Sequence, residues 1–152
     1  HIEHKNIFSG QGTKVYKQLE DKEGNSFPDF PNLNDKWDTA AEYIAVYPNV
    51  LLGVHRDHTF AIILIPDGPE KTYEHVHLFY SCKNTSKQLR RENMKLWKNV
   101  FEEDVPVVQG MQKGRHAVKF DGGRFSPVMD SPTHCFHYWV ASEIQNGRKQ
   151  KD

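Results

Sequence analysis

The spacing of apolar residues changes character once along the chain. From Glu42 to Ser81 they come in short β-branched and aromatic blocks broken by turn residues, and from Lys87 onward they recur at mostly helical intervals. Glu42–Tyr47 and Val50–His55, separated by Pro48-Asn49, predict two short strands. Arg56-Asp57 divides the second run from His58–Ile65. A two-residue polar gap between apolar runs predicts a tight hairpin, although no glycine is present to favour a primed turn. After the turn Pro66-Asp67-Gly68-Pro69, the segment Lys71–Ser81 partly alternates. Tyr73, His75, His77 and Phe79 fall on one side and Val76, Leu78 and Tyr80 on the other, which predicts a long edge-to-core strand of an antiparallel sheet. The first forty residues are rich in Gly, Asn, Asp, Pro and Lys and predict a long irregular region pinned by a few aromatics.

Asn84-Thr85-Ser86 offers capping side chains, and Lys87–Phe101 has no Gly or Pro while placing Leu89, Met94, Trp97, Val100 and Phe101 at mostly helical spacing. A helix of about four turns follows. Glu102-Glu103-Asp104-Val105-Pro106 then interrupts the pattern. Asp104 can cap, Pro106 is tolerated in a first helical turn, and Val107, Val108 and Met111 extend the apolar stripe to Gly114, so two helices or one kinked helix share this junction. Asp121-Gly122-Gly123 reads as a turn, Asp130-Ser131-Pro132-Thr133 as the start of a helix through His134–Gln145, and Asn146–Asp152 as a charged, frayed tail. Strands first and helices after predict an α+β fold, with helices packed on one face of an antiparallel sheet.

A chain of 152 residues can bury one core but is short for two ordinary domains, so a single globular unit or a piece of one is expected. Twenty Lys plus Arg balance twenty Asp plus Glu, which argues against a nucleic-acid or membrane-surface binder working through a broad basic field. The apolar runs are far shorter than the roughly 20 residues of a membrane helix. The polar start His1-Ile2-Glu3-His4-Lys5 does not read as a signal peptide, and none is expected from it. Two cysteines, Cys82 and Cys135, are too few for a disulfide framework or a Cys-rich cluster, and a reduced, cytoplasmic protein is expected.

Nine histidines is a heavy load for this length, and three pairs have meaningful spacing. His75 and His77 share one strand face and could reach one metal ion, the ordinary alternative being half-buried or exposed strand histidines. His55 and His58 flank the hairpin turn and could face each other, yet hairpin ends are commonly solvated. His134 and His137 stand at i and i+3 on the last helix, where packing competes with ligation. A mononuclear oxygen-activating iron site takes two imidazoles and one carboxylate on one face of the metal. Glu102-Glu103-Asp104, at a helix junction, offers a sheltered acid whose rotamer a capping role would restrict.

Four ordered blocks add a more specific signal. They are Phe8-Ser9-Gly10-Gln11-Gly12-Thr13-Lys14-Val15-Tyr16; Tyr47 through His58; Glu102-Glu103-Asp104-Val105 with Gln109, Gln112, Lys113 and Gly114; and Phe125-Ser126-Pro127 with His134 through Val140. Together, over most of the chain, they resemble the catalytic domain of Rieske-type ring-hydroxylating oxygenase alpha subunits. The resemblance implies a helix-grip, START-like fold around an apolar pocket and a mononuclear Fe(II), with Asp104 as its catalytic and metal-binding carboxylate. It also implies dioxygen as co-substrate, NAD(P)H-derived electrons delivered by a reductase or ferredoxin, hydroxylation of a small aromatic or quaternary ammonium compound, and a homotrimer when complete.

The departures from that pattern narrow the expectation. The family's two iron-binding histidines belong to an Asp-x-x-His-x-x-x-x-His type motif ahead of the Phe8 block, and His1 and His4 have the wrong spacing for it. A Rieske [2Fe-2S] cluster needs a paired Cys-x-His and Cys-x-x-His. Cys135, with His134 before it and His137 two residues after, lacks the second cysteine motif. Residues 1–152 are therefore expected to be the C-terminal portion of a single catalytic domain, incomplete and without the Rieske domain, supplying one of three iron ligands and inactive alone. Two other readings compete. One is a non-catalytic helix-grip module that binds an apolar small molecule, with Asp104 as a cap only; the other is a self-contained metal site of His75, His77 and a carboxylate.

Overall fold

The computed structural model describes residues 1–5 and 7–149. Six strands form one antiparallel sheet in chain order: β1 (Ile2–Lys5), β2 (Phe8–Thr13), β3 (Ala41–Val46), β4 (Val50–Val54), β5 (His58–Pro66) and β6 (Thr72–Tyr80). Two helices follow, α1 (Lys87–Arg115) and α2 (Ser131–Lys149). The α+β class with strands before helices is as the sequence predicts. So is the tight hairpin, in which the His55 N–H donates to the His58 carbonyl at 3.0 Å across Arg56-Asp57.

One face of the sheet carries both helices. On β5, Phe60 and Ile62 are buried and meet Trp97 of α1, with Tyr43, Leu51, Leu64, Leu78 and Phe101 packed around them. Gly53 stands opposite Phe60 in the β4–β5 register, and a Cβ there would run into the Phe60 ring, so the residue without a side chain lets this aromatic lie flat on the sheet. On the same side of β3, four residues from Tyr43 and just past the strand's end, Tyr47 rests against Phe136 and Trp139 of α2, at 5.1 and 5.4 Å between ring centroids.

Three expectations need correction. The first forty residues are not one loop, because Phe8–Thr13 pairs along the whole of β3 and Ile2–Lys5 adds an outer strand. Gly10, Gln11 and Gly12 have little intrinsic strand preference, and their partner lies some thirty residues on, so no local pattern announces the pairing. From Lys14 to Ala40 the irregular reading holds, apart from a 3₁₀ turn at Asp35–Asp38 and a lone antiparallel bridge between Glu20 and Ser26.

Second, of the two arrangements open at the junction after Phe101, two helices or one kinked helix, a single helix runs through it. It starts at Ser86, whose hydroxyl accepts from the Leu89 N–H, and runs unbroken for 29 residues with Pro106 inside it. Asp104 is therefore a mid-helix residue and not a cap. Pro106 is exposed, so the Glu102 carbonyl that loses its N–H partner can be solvated, which makes the interruption tolerable. Replacing Pro106 with Ala is expected to raise stability by about 2 kcal/mol, read as a higher urea midpoint. No change would mean that the helix is already broken there.

Third, α2 continues past Gln145 to Lys149, so Asn146–Lys149 are helical and not frayed, and residues 150–152 of the expected tail lie outside the described residues. Among the described residues, no helix is long and apolar enough to cross a membrane.

Candidate functional site

Between the helices and the sheet lies a groove of about 520 Å³. Its floor is Tyr43, Leu51, Phe60 and Ile62, one wall is Phe101 and Asp104 of α1, and the other is Met129 with Pro132 and Thr133 at the start of α2. The phase of α1 explains the wall. Asn93, Trp97, Phe101 and Asp104 fall within an arc of about 80° on an ideal helix, so Asp104 continues the stripe that Trp97 buries. It lies where that stripe leaves the core, so Asp104 is exposed and not sheltered as the sequence suggested. Its carboxylate has no hydrogen bond or ion pair among the described residues. The wall thus offers an anionic oxygen donor beside aromatic rings.

The second feature is buried polar chemistry that the sequence reading assigned to solvent. His55, Asp57 and His58 are 1%, 0% and 2% exposed. The hairpin end is roofed by the Lys14–Ala40 segment, which lays Phe27 against Tyr80 and Tyr16 against His55, with ring centroids 4.8 and 4.7 Å apart. Arg56 holds this roof down, its guanidinium pairing with Asp29 at 2.5 Å and Asp38 at 3.0 Å.

Inside, the Tyr16 hydroxyl donates to Asp57 Oδ1 at 2.8 Å, and His58 Nδ1 lies 2.8 Å from the same oxygen. Trp97 Nε1 donates to His58 Nε2 at 2.7 Å. An indole N–H can only donate, so His58 Nε2 must be bare and Nδ1 must carry the proton. The His58–Asp57 contact is then a neutral imidazole on a carboxylate and not an ion pair. Burial works to raise the Asp57 carboxyl, but the hydrogen bonds from His58 and Tyr16 outweigh it and hold it below the usual range. Tyr16 is pushed upward by burial and then by Asp57, so it stays a donor.

His55 stacks on His58 at 4.4 Å, and burial above all pushes its imidazole down to about 4. The unfolded chain, with an ordinary histidine near 6.5, binds the proton that the native state refuses. Stability should therefore be intact above pH 6.5 and fall by about 3 kcal/mol as pH drops toward 4. Urea midpoints at pH 7.5 and 4.5 check this. A midpoint unchanged between them would contradict the burial of a neutral His55, and His55→Gln should flatten the dependence.

His1, His75, His77, His134 and His137 behave as packing or surface groups. His75 and His77 are exposed on β6, opposite Ile63 and Ala61, on the sheet face away from the helices. His134 and His137 both stand edge-on to Phe125 at 5.1 Å. His1 pairs with Glu42 at 3.2 Å. Among the described residues, no group of three or more His, Cys, Asp or Glu is placed to hold a metal ion. The groove wall thus carries one carboxylate, Asp104, and the described residues bring no imidazole beside it.

Comparison with known proteins places the chain among relatives. The family model described as ring hydroxylating alpha subunit (catalytic domain) matches residues 6–146. Chloroplastic choline monooxygenase from Atriplex hortensis is 26% identical over 103 residues, 67% of this chain and 24% of that protein. The corresponding protein from Amaranthus tricolor is 24% identical over 111 residues, 72% of this chain and 25% of that protein. The chain thus spans about a quarter of the length of the curated relatives it matches.

Proposed function

Because the chain belongs to the ring-hydroxylating alpha subunit catalytic-domain family, we propose that it is the C-terminal portion of one helix-grip catalytic domain and supplies one of three protein ligands to a mononuclear Fe(II). Asp104 is that ligand. The observation that carries the reading is its carboxylate on the wall of a largely apolar groove, with no partner among the described residues. Two imidazoles complete the set from parts of the complete protein outside these residues, as does the Rieske [2Fe-2S] cluster. When bound, the iron supplies the dioxygen chemistry that hydroxylates the substrate, using NAD(P)H-derived electrons brought by a reductase or ferredoxin. The chain's own residues bind and orient: Tyr43, Phe60 and Phe101 present rings to the substrate, Ile62 and Leu51 exclude water, and Asp104 contributes negative charge to the metal.

A small aromatic or a quaternary ammonium compound suits these rings, the first by stacking and the second through their π faces. The names of the two plant relatives support testing the quaternary ammonium class first. The complete protein is expected to work as a homotrimer. The cytoplasmic setting expected from the sequence stays part of the proposal, and since the relatives are named as chloroplastic, fractionation of the source cells decides between the compartments.

The test is oxygen uptake by the complete protein with reductase, NADH and Fe(II), given choline, a betaine or an aromatic acid. Uptake matched by hydroxylated product on one class is the expected result. Ligand binding without iron dependence, and no uptake on any of them, would favour the metal-free binding module instead. The 152-residue chain alone should give no turnover, and oxygen-coupled turnover by it would overturn the fragment reading.

A further inference from the structure

Two polar contacts, one buried and one partly buried, tie α1 to the sheet, and both lie on the helix stripe that ends at Asp104. The Trp97 indole N–H donates to His58 Nε2 at 2.7 Å. One turn earlier, the Tyr80 hydroxyl donates to Asn93 Oδ1 at 3.2 Å. His58 and Tyr80 are themselves a cross-strand pair of β5 and β6, so both tethers rise from one point of the sheet. His58 is fixed in turn by Asp57, and Asp57 by Tyr16.

The apolar contacts of α1 do not fix its rotation to the same degree. Phe60 against Trp97 and Phe101, at 4.6 and 5.1 Å, tolerates a slide of a few tenths of an ångström, because dispersion has no direction. A hydrogen bond to a ring nitrogen does have one, and it weakens steeply when misaligned. Asp104 lies seven residues past Trp97, about 10 Å along the axis and close to the same angular position. Any rotation or slide permitted at Trp97 is passed along a rigid helix to that carboxylate.

We infer that the chain Tyr16–Asp57–His58–Trp97, with Tyr80–Asn93 beside it, positions Asp104: it sets the rotation and height of α1 so that the carboxylate meets the metal in a single geometry. This rests on the reading of Asp104 as a ligand. His58, Trp97 and Asn93 are positioning residues, since none of them lines the groove.

The test uses the complete iron-loaded protein. Trp97→Phe keeps an aromatic ring in the core but removes the N–H, Asn93→Leu removes the second tether at similar volume, and Leu89→Ala is the control. Leu89 is fully buried on the same helix and makes no tether, so its truncation costs stability without freeing the rotation of α1. The readouts are iron affinity by chelator competition and the near-infrared magnetic circular dichroism of the ferrous site. Trp97→Phe is expected to weaken iron about tenfold and to broaden the ferrous bands, with Leu89→Ala near normal in both despite an equal or larger drop in melting temperature. If Trp97→Phe does not fold, Asn93→Leu carries the same expectation. Unchanged affinity in the tether variants, or an equal loss in Leu89→Ala, overturns the inference. Asp104→Asn run alongside separates the two levels. If it loses iron while the tether variants keep theirs, only the positioning role fails; if it too keeps iron, the ligand reading fails with it.

Discussion

Replacing His58 with Leu is expected to destabilise the protein by about 3–5 kcal/mol, far beyond an ordinary core exchange of similar volume. The reason lies in what is left behind. Asp57 is fully buried and ionised, and His58 supplies one of its two side-chain donors. Its second oxygen, Oδ2, has no partner among the described residues, so the carboxylate has little to spare. Without His58, the Trp97 N–H also loses its acceptor in a dry interior. Tyr16→Phe removes a single donor and should cost less, about 1–2 kcal/mol. The double exchange of Asp57 and His58 for Leu should recover part of the loss, because a buried charge with no partner is worse than none. Urea unfolding of the four proteins decides this, and a His58→Leu loss under about 1 kcal/mol would contradict the buried network.

This network was the part of the molecule least legible in the sequence. Its members were visible as the pair His55 and His58 around Arg56-Asp57, but a hairpin end is ordinarily wet. What buries it comes from far along the chain, Tyr16 and Phe27 on one side and Trp97 on the other. The one local hint was a two-residue turn built from two charged residues without glycine, which needs tertiary support to hold its conformation. Strands β3 to β6 were readable because each carries its own β-branched and aromatic pattern. β1 and β2 were not, since Gly10-Gln11-Gly12 becomes a strand only when β3 pairs with it.

Asp104 shows both sides of the same lesson. Local signals, an acid two residues before a proline, read as a helix boundary, yet the apolar flanks on either side join into one helix across it. The local pattern predicts a sheltered cap at a helix junction, and the resemblance singles the same residue out, but the side chain stands exposed mid-helix on a groove wall. The groove itself, formed by strands, α1 and the start of α2, lay beyond any window of sequence.

The continuous helix makes the central test clean, because a capping role no longer competes with ligation at Asp104. Asparagine at this position keeps the size, the helix and one oxygen while removing the negative charge, and an exposed mid-helix exchange should shift stability by no more than about 0.5 kcal/mol. Loss of the anionic ligand should weaken iron binding by about a hundredfold or more, exceeding the ten- to hundred-fold typical of residues that only support a ligand. The decisive measurement is iron content and oxygen-coupled turnover of the complete protein carrying Asp104→Asn, beside its melting curve. The account predicts an unchanged melting curve with iron and turnover lost; full iron content with normal turnover would contradict it.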